Sequence, residues 1–223
     1  MVSIADGVVV ITGGRRGLGS ALVDEMLHRG AAKVYSTARQ TYTDPRSRVF
    51  THALEVSSDD SVTAFAAIAP DATIVVNNAG ISLPGSLLES DLSDVVDTFD
   101  VNVLGPLRVT RAFAPILEAN GGGALLNLHS VLSWLGGAGA YGASKAALWS
   151  ITNSLRLELM EQRTQVLGVH AAFIDTDMVA AVDAPKTSPR EVARKIADAL
   201  EQGASELLVD ATPEAATMSV SMN

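Results

Sequence analysis

The sequence predicts an α/β protein in which a doubly wound, mostly parallel sheet lies between two layers of helices, as one αβα domain over residues 1–223. Strand-like apolar runs alternate with helical patterns along the chain. A glycine-rich segment joins the first strand to the first helix, and no linker or internal repeat divides the chain. Strands that alternate with helices pair in parallel through right-handed crossovers. A chain of this length can bury most of its apolar surface in one domain.

The first strand and helix set the pattern for the rest. Val8–Ile11 is a short, β-branched apolar run typical of a buried strand. Leu18, Leu22 and Met26 then form one helical stripe. Gly30 marks the end of that helix. Strands are predicted over residues 7–12, 33–37, 49–53, 73–77, 123–129, 166–172 and 206–209, and helices over 17–29, 59–68, 91–118, 141–162 and 189–202.

Composition disfavours several classes of function. Apolar residues make up 48% of the chain and charged residues 18%, which indicates a packed globule. There is no cysteine, and the four histidines lack His-x-x-x-His spacing, so we expect no disulfide, thiolate nucleophile or metal site. A net charge of −9 without a basic run disfavours nucleic-acid and anionic membrane partners. Since the sequence shows neither a signal-peptide pattern nor a membrane-spanning run, we expect a cytoplasmic protein.

The glycine-rich segment Thr12–Gly19 predicts a dinucleotide site. It reads Thr-Gly-Gly-Arg-Arg-Gly-Leu-Gly and lies between the first strand and the first helix. Glycines let the backbone turn sharply and approach a pyrophosphate, and a helix N-terminus supplies free N–H groups with a partial positive charge. The spacing is Gly-x-x-x-Gly-x-Gly rather than Gly-x-Gly-x-x-Gly. The alternative is a tight turn that binds no ligand.

A second motif places a tyrosine and a lysine on one helix face. Tyr141 and Lys145 are four residues apart at the start of an apolar helical run. A cation near a phenol favours the phenolate and lowers its pKa, which suits proton transfer to a carbonyl oxygen. A helix can also contain this pair by chance.

Residues of interest follow five of the predicted strands. Gly13, Arg39, Asn78, Ser130 and Thr176 each come just after a strand. Because parallel strands end at the same edge of a sheet, these residues are expected to converge there.

In this order the motifs resemble those of the short-chain dehydrogenase/reductase family, whose fold is Rossmann-like. The resemblance covers roughly residues 5–180. It is carried by Thr12–Gly19, Asn77–Gly80, Asn102, Ser130 and Tyr141-x-x-x-Lys145.

The resemblance implies a role for each polar residue of the site. Tyr141 acts as general acid/base, and Ser130 holds the substrate carbonyl or hydroxyl. Lys145 lowers the pKa of the tyrosine and binds the nicotinamide ribose, and Asn102 supports a water linked to the lysine. Two alternatives stay open: Ser133 could be the catalytic serine, and Asn102 could be an ordinary polar helix residue. The implied cofactor-binding residues are Gly13, Arg15, Arg16, Gly17, Leu18, Gly19, Arg39, Glu55, Val56, Asn78, Ala79, Gly80, Tyr141, Lys145, Ile174, Thr176 and Met178.

Two arginines favour NADP(H) over NAD(H). An acidic residue after the second strand binds a free ribose 2′-hydroxyl, whereas arginine accommodates a 2′-phosphate. Arg39 stands at that position, and Arg16 lies inside the glycine-rich segment. Two guanidinium groups can chelate a phosphate. The alternative is that both are ordinary surface arginines.

Three features depart from the family pattern. Glu55 followed by Val56 replaces the aspartate usual at the adenine-binding turn. Ser130 and Tyr141 are 11 positions apart, about two fewer than in the commoner pattern. Ala171-Ala172 stands where Pro-Gly is expected, although Thr176 is retained.

The sequence predicts a carbonyl reductase or alcohol dehydrogenase acting on a hydrophobic or bulky carbonyl substrate. Only Val179–Ser188 precede the last helix, which implies a short lid and an open pocket. Leu132, Trp134 and Met178 are candidate pocket residues. Imine or enone reduction, epimerisation and a non-catalytic NADP-binding regulator are the alternatives.

A homodimer or homotetramer is also expected. The helix over 141–162 carries Trp149 and Met160 outside its main apolar stripe, and Phe113 lies on the preceding helix. A helix packed on a sheet needs only one stripe, so the additional apolar surface suggests contact with another subunit. The resemblance implies the same two helices as the interface.

Overall fold

The computed structural model describes residues 2–83 and 85–210; the end of the predicted domain, residues 211–223, lies outside these ranges. The strands are β1 Val8–Ile11, β2 Lys33–Ala38, β3 Val49–Ala53, β4 Ile74–Asn77, β5 Gly123–Leu128, β6 Thr164–His170 and β7 Glu206–Leu208. The helices are α1 Gly17–His28, α2 Asp59–Ile68, α3 Leu92–Phe99, α4 Gly105–Ala119, α5 Gly139–Glu158 and α6 Pro189–Glu201.

The strands form one sheet in the order β3-β2-β1-β4-β5-β6-β7, and every neighbouring pair is parallel. This arrangement confirms the predicted doubly wound fold. The order reverses between β1 and β4, where Val9 lies between Val34 of β2 and Ile74 of β4. Ligands of such sheets bind beyond the carboxyl ends of the strands at this point.

Two apolar cores cover the two faces of the sheet. Alternate side chains of β1 point to opposite faces, so Val9 and Ile11 join one core and Val10 joins the other. Helices α1 and α6 cover the first face, and α2, α4 and α5 cover the second. Their fully buried anchors include Leu22, Met26, Ile196 and Leu200 on the first face and Phe65, Phe113 and Leu117 on the second.

The single helix predicted over 91–118 is interrupted. A π-helical turn over Asp100–Leu104 separates α3 from α4. Pro106 has no N–H, so it cannot donate to the carbonyl of Asn102 as an uninterrupted α-helix requires. The wider turn accommodates the proline and leaves Asn102 fully buried. Turns of this kind often lie at functional sites.

Two residues predicted to face another subunit pack against side chains of their own chain. Phe113 is fully buried, with its ring centroid 5.9 Å from that of Phe65. Trp149 packs edge-on against Trp134 at 5.6 Å. The expectation for Phe113 is wrong, because a fully buried side chain offers no surface to another subunit. Trp149 is partly exposed, and its contact with another subunit stays a prediction. In α5 and the turn after it, the exposed large apolar side chains are Leu157 and Met160, which are 69% and 61% exposed.

Within residues 2–83 and 85–210, no helix combines the length and the apolar character needed to cross a bilayer.

Replacing Phe113 by Ala is expected to lower the free energy of unfolding by about 3–5 kcal/mol, because it leaves a cavity between α4 and α2. Urea unfolding measures this effect. Leu157→Ala, on an exposed position of α5, is the control and should change the free energy of unfolding by less than about 0.5 kcal/mol. Equal losses in the two variants would contradict the assignment of Phe113 to the core.

Candidate active site

The glycine-rich turn packs tightly against itself and against the loop after β6. Gly17 has a φ of +56°, and a Cβ there would lie 3.1 Å from Cγ2 of Thr176. A Cβ on Gly19 would lie 2.1 Å from the carbonyl oxygen of Gly13, so only glycine fits at that position. Among the described residues, no side chain caps the N-terminus of α1, and its first turn has no acidic residue. The free N–H groups therefore suit a pyrophosphate.

Thr12 ties this turn to the end of β4. Its hydroxyl oxygen accepts hydrogen bonds from the backbone N–H groups of Asn78 and Ala79, both at 3.0 Å. The Asn78 side chain donates in return to the carbonyls of Thr12 and Gly13, at 2.8 and 3.1 Å. Thr12 was not among the predicted site residues. Its position as the residue after β1, facing β4, is the signal that could have identified it.

Lys145 of α5 is a buried cation whose ammonium group lies at the end of β5. Its side chain is almost inaccessible, and Nζ donates to the carbonyl oxygen of Leu128 at 2.8 Å. Nζ also lies 5.6 Å from the ring centroid of Tyr141. Burial lowers the pKa of Lys145 from 10.5 to about 8, because the charged form loses its hydration.

The pKa of Tyr141 differs from the sequence prediction. Burial raises it above 10, and a hydrogen bond with the Ser130 side chain acts in the opposite direction. The lowering expected from Lys145 is therefore not found in this structure, in which the ammonium group is directed at the Leu128 carbonyl. The phenol is held in its protonated form at neutral pH.

The structure brings Ser130 to the tyrosine despite the short spacing between them. Ser130 begins a 3₁₀ turn, Val131–Ser133, and its hydroxyl accepts from the N–H of Leu132 at 3.2 Å. Helix α5 starts at Gly139, two residues earlier than predicted, so Tyr141 lies in its first turn. The hydroxyl of Ser133 is buried and has no partner within the described part of the chain.

Asn102 holds the chain segment that covers the lysine. Its Oδ1 accepts from the N–H of Ile81, and its Nδ2 donates to the carbonyl of Ile81, both at 2.9 Å. Nδ2 also lies 3.1 Å from the hydroxyl of Ser144. Gly80 packs in this space, since a Cβ there would lie 3.2 Å from Asn102 Oδ1 and 3.7 Å from Lys145 Nζ.

The two arginines of the glycine-rich turn point in different directions. Arg16 pairs with Asp177, after β6, at 2.9 Å, and both side chains are exposed. Arg15 instead lies over the ring of Tyr42 at 5.8 Å, and Tyr42 donates to Ser36 of β2. Arg15 rather than Arg16 is thus on the side of β2, which Arg39 follows. The sequence carries no local signal for Tyr42.

The remaining predicted cofactor residues border the same edge of the sheet in different ways. Val56 is buried against the start of α4, where a Cβ on Gly105 would lie 3.0 Å away. The Glu55 carboxylate accepts from the Ser57 hydroxyl at 2.8 Å. Ile174 bridges to Thr187, and Met178 is half exposed.

A shallow cleft lies beside the tyrosine. Residues of the 82–90 segment and of α3 line it together with Ala140, the neighbour of Tyr141. Of the three predicted pocket residues, Trp134 packs instead on His170, with ring centroids 4.3 Å apart. The apolar lining residues are Leu83, Leu87, Val95 and Ala140.

Comparison with known proteins identifies chains that are similar in sequence to this one. A family model described as short chain dehydrogenase matches residues 7–187. The curated 3alpha-hydroxysteroid dehydrogenase of Mediterraneibacter gnavus is 33% identical over 196 residues, which span 78% of this chain and 76% of that protein. For other curated relatives, the share of their length that this chain spans ranges from 66% to 94%.

Two solved structures are similar over nearly the whole chain. A short chain dehydrogenase of Burkholderia cenocepacia J2315 in complex with NADP is 34% identical, with a TM-score of 0.92, and the match covers 99% of this chain and 94% of that one. A short chain dehydrogenase/reductase of Burkholderia phymatum in complex with NAD is 25% identical, with a TM-score of 0.84, and covers 94% and 90%.

Replacing Lys145 by Met tests the buried cation. In the folded chain its pKa lies near 8 and in the unfolded chain near 10.5, so between these pH values the unfolded chain binds more protons and stability rises with pH. The free energy of unfolding of the wild type should therefore rise, relative to Lys145→Met, by up to roughly 3 kcal/mol between pH 8 and 10.5. Urea unfolding across this range measures it. Parallel pH profiles would show that the lysine is not buried as described.

Proposed function

The chain belongs to the short-chain dehydrogenase family, and on that premise we propose that it is an NADPH-dependent carbonyl reductase, acting in reverse as an alcohol dehydrogenase. The observation that carries the proposal is the arrangement of Ser130, Tyr141 and Lys145 at the carboxyl edge of the sheet. A tyrosine and a serine there can donate to an oxygen that becomes negatively charged. A non-catalytic nucleotide-binding protein needs no such pair.

When bound, NADPH would supply the hydride for reduction of the carbonyl. The residues present fit this cofactor. The uncapped N-terminus of α1 suits the pyrophosphate, and the glycines at 13, 17 and 19 allow the backbone to approach it. Lys145, beside Gly80 and Tyr141, is proposed to hold the nicotinamide ribose.

The protein contributes the proton and its position. Because burial raises the pKa of Tyr141, the phenol is protonated at neutral pH and can donate its proton to the carbonyl oxygen. The Ser130 hydroxyl donates a second hydrogen bond to that oxygen, which stabilises the developing negative charge. The Lys145 ammonium stabilises the phenolate that remains. Asn102 positions the Gly80–Ile81 turn over the lysine, and we propose that it also supports the water that returns a proton to the site.

Preference for NADP(H) is supported by Arg15 and Arg39. Arg15 lies on the β2 side of the glycine-rich turn, beside Tyr42, and Arg39 directly follows β2. Both guanidinium groups are exposed and can form charge-assisted hydrogen bonds with a 2′-phosphate. Arg16 was predicted to act with Arg39, and its role at the cofactor stays a prediction; in this structure it pairs with Asp177.

We propose a hydrophobic carbonyl substrate, which is supported by the apolar side chains Leu83, Leu87 and Val95 around the shallow cleft next to Ala140. The steroid named for the Mediterraneibacter gnavus relative is a bulky apolar substrate of this kind. A homodimer or homotetramer through α4 and α5 stays a prediction that the exposed Leu157 and Met160 support. The cytoplasmic location also stays a prediction.

Tyr141→Phe is expected to lower kcat for reduction of an aryl ketone by roughly 10²- to 10⁴-fold, because it removes the proton donor. NADPH binding, measured by fluorescence titration, should be retained. Ser130→Ala should also lower kcat, whereas Ser133→Ala, the matched control, should leave it within about twofold. If Tyr141→Phe keeps its turnover, or if Ser133→Ala loses more than Ser130→Ala, the proposed residue roles are wrong.

Arg39→Asp is expected to reduce the preference for NADPH over NADH, expressed as a ratio of kcat/KM values, by roughly 10- to 100-fold. A hydrogen bond to a charged group contributes about 1.5–3 kcal/mol, and the new carboxylate also repels the phosphate. Arg15→Asp should act in the same direction. The control is Arg194→Asp, which makes the same charge change on an exposed part of α6. An unchanged preference in Arg39→Asp would refute the NADP(H) assignment.

A further inference from the structure

Two buried histidines and a glutamate converge beside the proposed active site without a role in it. His129 follows β5, His170 ends β6, and Glu206 begins β7. His129 Nδ1 lies 3.2 Å from His170 Nε2, which in turn lies 3.1 Å from Glu206 Oε2. Both histidines are 4% exposed. Gly168 leaves the space for this cluster, since a Cβ there would lie within 2.7 Å of His129 Cε1 and Glu206 Oε2.

Hydrogen bonds fix the tautomer of His129. The Thr152 hydroxyl donates to the carbonyl of Leu148 at 2.7 Å, so its oxygen is left to accept from His129 Nε2 at 2.9 Å. The proton of His129 is therefore on Nε2, and Nδ1 presents a lone pair to the cluster.

The tautomer of His170 follows from its contact with a backbone carbonyl. Its Nδ1 faces the backbone carbonyl oxygen of Ser130 at 3.3 Å, and a carbonyl can only accept, so Nδ1 carries a proton. In a neutral ring, Nε2 then presents a lone pair to His129 Nδ1 and to Glu206 Oε2. Three lone pairs then face one another, and either a cation or a shared proton would hold them together.

We propose that His129, His170 and Glu206 form a binding site for one divalent transition-metal ion of the Zn²⁺ type. Two imidazoles and a carboxylate are a ligand set that Zn²⁺ accepts, with a fourth position left for water. Ligands about 2.0–2.1 Å from a tetrahedral ion are roughly 3.3–3.4 Å apart, close to the 3.1 and 3.2 Å found here. The third pair of ligand atoms lies within 4.8 Å, and the partly exposed Glu206 can move to close it.

The surroundings match those of a metal site. A metal-bound histidine usually donates its other ring N–H to a protein oxygen, as both rings do here to Thr152 and to the Ser130 carbonyl. Arg156 and Trp149 hold Oε1 of Glu206, at 2.9 and 3.3 Å, which leaves Oε2 directed at the histidines. The ring of Trp134, whose buried indole N–H has no acceptor among the described residues, packs on His170 with ring centroids 4.3 Å apart.

The expectation of no metal site rests on the lack of His-x-x-x-His spacing, which is a local pattern. These ligands come from three neighbouring strands, so no local spacing reveals them. An ion here would join the ends of β5, β6 and β7. It would thereby fix the backbone at Ser130, whose carbonyl accepts from His170.

The competing explanation is that an added proton, rather than a metal ion, holds the three side chains together. If His170 carries protons on both nitrogens, its imidazolium can donate to His129 and Glu206 without any ion. Metal titration distinguishes the two, and it does so without reference to enzyme activity.

The test uses the full chain after treatment with a chelator. Calorimetric titration with ZnCl₂ should give one ion per chain, and Zn²⁺ should raise Tm. The two tryptophans of the chain, Trp134 and Trp149, lie 4.3 and 5.6 Å from His170 between ring centroids, so CoCl₂ should quench tryptophan fluorescence saturably at the same stoichiometry.

Glu206→Gln and His170→Asn should each weaken Zn²⁺ binding by roughly tenfold or more. The matched controls are Glu158→Gln and His28→Asn, both at exposed positions outside the cluster, and they should bind as the wild type does. Because Glu206 is partly exposed, its variant should fold even if His170→Asn does not, and circular dichroism checks this. Absence of saturable binding, or equal binding by Glu206→Gln and Glu158→Gln, would overturn the metal site in favour of the imidazolium.

Discussion

The proposed active site depends on one buried charge, the ammonium of Lys145. A cation out of contact with water is stable only where polar groups replace its hydration. Here the carbonyl of Leu128 accepts a hydrogen bond from the ammonium at 2.8 Å. This one bond does not replace all of the lost hydration, so the pKa of Lys145 falls to about 8. Gly80 lies close by, and a Cβ there would be 3.2 Å from Oδ1 of Asn102. Burial of Lys145 therefore lowers the stability of the fold. The same burial places the ammonium beside the phenol of Tyr141, where water screens its electric field least.

A row of buried polar side chains keeps α5, and with it Tyr141 and Lys145, in register with the strands. Asn77 donates to Asn127 at 2.9 Å, and Asn127 donates to Thr152 of α5 at the same distance. Thr152 follows Lys145 by two helical turns on the same face, so the bond that fixes Thr152 also fixes the depth of the lysine. Buried hydrogen bonds between side chains are directional, so they specify one arrangement of helix and strands more strongly than apolar packing does. The same threonine orients His129, so the proposed active site and the proposed metal site have one support in common.

Much of this organisation could be predicted from local sequence. The parallel sheet follows from alternating strands and helices, and the positions of Gly17 and Gly19 already indicate a tight turn. The spacing of Tyr141 and Lys145 places them on one helix face in any context. The interruption of the helix at Asp100–Leu104 was missed, although Gly105-Pro106 in the middle of an apolar helix is a signal for it. The inward position of Phe113 was missed because a helical stripe shows how much surface is apolar but not which neighbour covers it.

The sequence by itself determined the parallel sheet, the glycine-rich turn and the tyrosine–lysine pair, because each depends on residues close together in the chain and on the period of a helix or strand. Only the tertiary structure decided that Arg15 rather than Arg16 faces β2, and that burial raises the pKa of Tyr141. It alone brought His129, His170 and Glu206 within reach of one another. These outcomes depend on distances and desolvation between segments far apart in the chain, and no local pattern encodes them.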